Sequence, residues 1–99
     1  MDKNFEGMAI GIFELDSECA CFVALDAAAK AADVRIQSVE RNRLKSGACV
    51  KMRGSISNVN AAMDAALAAA QPISEIYAHS IIAAPHDDTE VAMAMTINK

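Results

Sequence analysis

Residues 8–15 (MAIGIFEL) form an apolar run of strand length, and the run predicts a strand buried on both faces. Gly11 in its middle marks a close approach by another group. Asp16 or Ser17 then offers a side-chain oxygen to the free N–H groups of a helix over about 17–32. On that helix Phe22, Leu25, Ala29 and Ala32 recur at helical spacing and are expected to face the sheet. Alternation returns at 34–41, with Val34 and Ile36 on one side and Arg35 and Gln37 on the other. A polar loop follows at 41–47 (RNRLKSG), then a third strand at 48–52. There Ala48, Val50 and Met52 point one way, and Cys49 and Lys51 the other. Arg53-Gly54 reads as a turn, and Ser55 or Ser57 caps a second helix that ends at Gln71, before Pro72. Its stripe is Ile56, Val59, Met63, Leu67 and Ala70. Residues 76–83 make a fourth strand closed by Pro85, and the acidic, then Met-rich segment after it reads as a brief helix or strand.

The order β-α-β-β-α-β predicts an α+β, ferredoxin-like fold: a four-stranded antiparallel sheet with two helices on one face. Cys49, Lys51 and His79 are expected on the opposite, partly open face, a mixed surface suited to a subunit contact. Residues 1–7 form an N-terminal extension, 8–86 the domain and 87–99 a tail.

Composition adds a pressure toward association. The chain has 99 residues and 54% hydrophobic content, much of it alanine, so it carries more weakly apolar surface than a small domain buries alone. A net charge of −4 excludes nucleic acid as a main partner. No run has the length to span a bilayer, which points to a soluble, cytoplasmic protein with no membrane partner. Within 25–34 (LDAAAKAADV), Lys30 is a single long cation in a field of methyl groups. It either pairs with Asp26 one turn earlier or touches something outside the chain, and the alanines offer a smooth face to a neighbour.

Catalytic chemistry finds no support. There is no Gly-x-Ser-x-Gly elbow, P-loop or HExxH, and His79 and His86 stand apart. Cys19, Cys21 and Cys49 are an odd number without paired CxxC knuckles, which argues against a disulfide framework. Cys19 and Cys21 sit two apart on a helix and face different ways; Cys49 reads as an inert thiol in preference to a metal or cluster ligand. No cofactor is expected.

These segments in order resemble the single-domain shell proteins of bacterial microcompartments, the BMC class. AIGIFEL stands where the family has AIG-x-IET, LDAAAKAADV where it has ADAMVKAA-x-V, RGSISNVNAAMDAALAAA where it has an RGD-led alanine helix, and APH where it has RPH. The resemblance covers roughly 8–86. It implies a homo-hexamer that tiles into a sheet with other shell proteins, encloses enzymes, and passes small metabolites through a pore on the sixfold axis. It places Arg43, Leu44, Lys45, Ser46 and Gly47 in the pore loop, with Lys45 or Ser46 at the tip. It places Lys30, Asp26, Pro85 and His86 at the hexamer edge. Three departures stand out: the glycine-rich pore triplet is replaced by NRLKSG, the edge arginine is Ala84, and Asp16-Ser17 replaces the glycine after the first strand. Members with such departures occur in compartments built around glycyl-radical enzymes. Arg41, Arg43 and Lys45, repeated around an axis, would attract anions and repel one another, leaving a loop more mobile than its sheet.

Two other classes compete with a shell subunit. One is a regulatory ferredoxin-like domain that grips an anionic metabolite with RNRLKSG; the other is an electron-transfer module that uses Cys49.

Overall fold

The computed structural model describes residues 5–42 and 47–97. The elements are β1 (Ala9–Leu15), α1 (Glu18–Ala31), β2 (Arg35–Arg41), β3 (Ala48–Gly54), α2 (Ile56–Ala70), β4 (Ile76–Ile82) and α3 (Asp87–Ile97). The strands form one antiparallel sheet in the order β2-β3-β1-β4. Each βαβ half skips one position in that sheet, so β3 lies between β1 and β2, and α1 and α2 share a face. The ferredoxin-like expectation holds.

Local chemistry sets the element ends. Ser17 Oγ accepts the Ala20 N–H at 3.1 Å and caps α1. Asp16 leaves the cap to Ser17 and accepts the Tyr77 hydroxyl at 2.9 Å, tying the α1 entry to β4. Ser55 caps α2 through the Asn58 N–H. Arg53-Gly54 is not a turn: β3 runs through both residues, opposite Ala9 and Ile10.

The helix-side core combines Phe13, Leu15, Val50 and Met52 of the sheet with small residues from the helices. α1 buries Ala20, Cys21, Ala24 and Ala28, and α2 buries Val59, Ala62, Met63, Ala66 and Ala70. Ala20-Ala24-Ala28 and Ala62-Ala66-Ala70 are two rows at i, i+4 spacing, and the two helices pack against each other. The sequence-based stripes are corrected here. Phe22 (54% exposed) and Ala29 point outward, Ile56 is exposed, and Leu25, Ala32 and Leu67 are half-buried. On its inner face α1 contributes only methyl groups and a thiol, because the Phe13 ring and the other large side chains of the sheet already fill the space beneath it. Of the alanines in 25–34, only Ala28 is spent inside the chain; Ala29 and Ala31 are exposed, and Ala27 and Ala32 are half-buried.

The opposite face is also corrected. α3 lies across it and covers the end that holds Ile10 and Arg53, both fully buried. His79 pairs with Phe13, so the register puts it on the α1/α2 side, where it remains exposed on edge strand β4. Arg53 forks onto Glu90 of α3, with Nη1–Oε1 at 3.0 Å, and also donates to the Met8 carbonyl and to Gln37. A bulge in β2 between Ile36 and Ser38 directs Gln37 to this guanidinium. Farther along, Lys51 pairs with Glu40 and donates to the Thr96 hydroxyl.

Gly11 faces the helix-side core, where an added Cβ would come within 2.8 Å of Met52 Cε and 2.9 Å of Val59 Cγ1. Met52 can swing away, but the β-branched valine cannot. Gly11→Ala is expected to lower unfolding free energy by about 1–3 kcal/mol, measured by denaturant titration with the slope unchanged.

Candidate functional site

The strand directions sort the candidate residues to two ends of the sheet. The starts of β1 and β2 and the ends of β3 and β4 lie together, as the pairs Ala9–Gly54, Arg35–Arg53 and Ile10–Ile82 show. The end of β1, the end of β2 and the start of β3 lie at the other end, where Leu15 faces Ala48 and Arg41 faces Ala48. Lys30, in the last turn of α1, belongs to the first end, as do Pro85 and His86 just beyond β4. The connection between β2 and β3 belongs to the second. A seven-residue strand separates them by roughly 20 Å.

At the first end, Lys30 Nζ lies 2.7 Å from Asp26 Oδ2, with side chains 75% and 59% exposed. The hydrogen bond from Lys30 to Asp26 raises the ammonium's pKa, and the ion pair stands in solvent on the outer face of α1. Phe22 and Val23 are exposed on the same helix, so an apolar pair accompanies the cation. Sequence reasoning misses that patch because it spends Phe22 on the core. His86 works locally, at the start of α3. Its Nδ1 accepts the Asp88 N–H at 3.0 Å, and its carbonyl accepts the N–H groups of Thr89 and Glu90. Pro85 before it is half-buried, and Ala84 is exposed. No hydrogen bond or ion pair joins Lys30 to Pro85 or His86 among the described residues; they share an end of the sheet.

At the second end, Arg43, Leu44, Lys45 and Ser46 lie outside the described residues. Their flanks are well tied. The Asn42 N–H donates to the Gly47 carbonyl at 3.0 Å, and Asn42 Nδ2 donates to the Leu15 carbonyl at 3.3 Å. A Cβ on Gly47 would fall onto that same Leu15 carbonyl oxygen, so the neck accepts only glycine there. Arg41 is drawn out of the basic cluster: its Nε lies 3.2 Å from Glu18 Oε2, in the first turn of α1.

The BMC domain family model matches residues 9–85, from the first residue of β1 to the segment after β4. The chain belongs to the BMC-domain family of microcompartment shell proteins. It is 39% identical over 83 residues to the bacterial microcompartment shell protein EutM of Salmonella typhimurium, covering 83% of this chain and 84% of that one. It is 35% identical over 92 residues to PduA, a shell protein of the same organism, covering 92% and 96%. Among solved structures, a microcompartment protein from Desulfitobacterium hafniense DCB superimposes with a TM-score of 0.77 at 25% identity over 85% of this chain. This chain spans about half the length of that one, 47%.

Within this BMC domain the cysteines occupy three environments. Cys19 is exposed. Cys21 is buried on the helix side, where its Sγ donates to the Ala48 carbonyl at 3.4 Å. Cys49 is half-buried on the opposite face and opens onto a shallow cleft of about 130 Å³ with Ile12, Glu14 and Ala78. Cys21 and Cys49 thus face away from each other across the sheet. Among the described residues no three His, Cys, Asp or Glu side chains converge as a metal site would require. Burial pushes both the Cys21 and Cys49 thiols up, which lowers their thiolate fraction at neutral pH. Iodoacetamide at pH 7 is expected to modify Cys19 first, Cys49 slowly, and Cys21 only after denaturation, as followed by peptide mass mapping.

Proposed function

We propose that this shell subunit assembles as a cyclic hexamer with the 42–47 hairpin at the axis and the Lys30 end at the rim. The observation that carries this reading is the opposition of the two sites across the sheet, roughly 20 Å apart. A ring that tiles needs its axial element and its outer contact at opposite ends of each subunit, and only then do both repeat around one symmetry axis. In this arrangement Arg43, Leu44, Lys45 and Ser46 line the pore above Gly47, which is buried at the neck, and the repeated cations favour small anionic metabolites. Asn42 and Gly47 hold the hairpin neck in place.

At the rim, Lys30 lays its stem along the neighbouring hexamer with Asp26 orienting the ammonium, and Pro85 and His86 complete the edge. Ala84 brings no bidentate donor to the contact, so Phe22 and Val23 supply apolar area in its place. The role is structural, not catalytic; its partners are other copies, other shell proteins and the enzymes enclosed. Residues 87–97 act as part of the domain and not as a free tail, since Glu90 of α3 is tied to β3.

Lys30→Ala tests the rim, with light scattering for particle mass and negative-stain microscopy for extended sheets. The variant is expected to keep the mass of a hexamer while sheets are lost or shortened. Dissociation of the hexamer itself would place Lys30 in a different interface, and a wild-type monomer at high concentration would overturn the assembly reading.

A further inference from the structure

α3 is attached unlike the rest of the fold. Of its eleven residues only Glu90 and Met93 are buried, while Val91 and Met95 are 60% and 72% exposed. It nevertheless roofs Arg53, whose side chain is fully buried and whose Nε has no hydrogen-bond partner among the described residues. Two hydrogen bonds from the guanidinium reach the Glu90 carboxylate, and the Gly7 N–H donates to the same carboxylate at 3.4 Å. Near the far end of the helix a single Lys51–Thr96 hydrogen bond adds to the attachment.

We propose that the Arg53–Glu90 pair is a charge-dependent latch, and that neutralising Glu90 lifts α3 off the sheet while the sheet stays folded. The asymmetry of the two partners decides which side yields. Arginine does not lose its proton, so once Glu90 is neutral the buried guanidinium has to regain water. β3 cannot yield, because it is hydrogen-bonded to β1 on one side and β2 on the other. α3 is held by few apolar contacts, and an eleven-residue helix does not hold together alone in water. Its release opens Ile10 and Arg53 to solvent and extends the Cys49 cleft along that face of the sheet.

The charges around the latch come from several elements. Arg35 of β2 stands directly opposite Arg53, and like charges there repel once Glu90 no longer screens them. Asp33 and Arg35 line a cavity beside Arg53. Asp87 and Asp88 sit in the first turn of α3 behind His86. The Arg53 hydrogen bond holds the Glu90 carboxyl below its ordinary range. A lowered carboxyl contributes its stabilisation in full above the unfolded value of about 4.3, and loses it as pH falls through the lower folded value.

Hydrogen exchange of the full chain, followed by mass spectrometry from pH 7 to pH 3 and corrected for intrinsic rates, tests the latch. Protection of α3 is expected to fall roughly 10-fold by pH 3, the most a single carboxyl of ordinary unfolded value allows being about 20-fold there, while β1 and β3 keep theirs. Glu90→Gln is expected to show the same selective loss already at pH 7 and no further fall in acid. Loss of protection in α3 only together with β1 and β3 would overturn the proposal. So would an α3 that stays protected at pH 3, or one already unprotected at pH 7. Should the variant not fold, the wild-type pH series decides alone.

Discussion

The separation between α1 and α2 and the sheet beneath them is the constraint on which the other features rest. Two alanine rows, Ala20-Ala24-Ala28 and Ala62-Ala66-Ala70, leave room for little more than methyl groups between the helices. The sheet must then supply the bulk, through Phe13, Leu15, Val50 and Met52, with Gly11 vacated so that Met52 and Val59 can meet over it. Because α1 has no space for large side chains on its inner face, Phe22 and Val23 are turned outward beside Asp26 and Lys30. One packing distance thus sets both the core and the character of the outer surface.

The second constraint is electrostatic and lies on the other side of the sheet. An arginine in the middle of a three-strand ladder is tolerated because a carboxylate arrives from a helix at the far end of the domain. The β2 bulge supplies Gln37 and the entry to β1 supplies the Met8 carbonyl, so neighbouring segments are shaped around one guanidinium. The helix side is specified by volume and the α3 side by charge.

Much of the fold is legible in the sequence because its signals are local. The apolar run of β1, the serine caps, the alternation in β3 and the proline stops each act within a few residues, and the elements lie where those signals put them. The features that mislead depend on distant partners. Arg53-Gly54 looks like a turn until Glu90, 37 positions later, neutralises the charge and lets β3 continue. The segment of α3 reads as a tail because one of its two buried residues is a glutamate, which ordinarily marks a solvated face. The facing of α1 is misassigned when large side chains are given the interior, where the fit admits only small ones. His79 falls on the wrong face because register is a property of strand pairs, and β4 alone does not carry it. Of the candidate sites, the Lys30–Asp26 pair and the glycine at the hairpin neck are readable directly, since each is a short-range feature. The exposed Phe22 and Val23 beside that pair emerge only with the core.

The hydrogen bond from Gly7 to Glu90 joins segments that are 83 positions apart. The turn leading into β1 and the helix that follows β4 are anchored to the same carboxylate, one through its amide and the other through its own side chain. Mechanically, the two flanks of the domain are a single fixture. A load applied ahead of Gly7, such as a fused protein or a neighbouring subunit pulling on that strand entry, reaches the carboxylate that seats α3 through this amide.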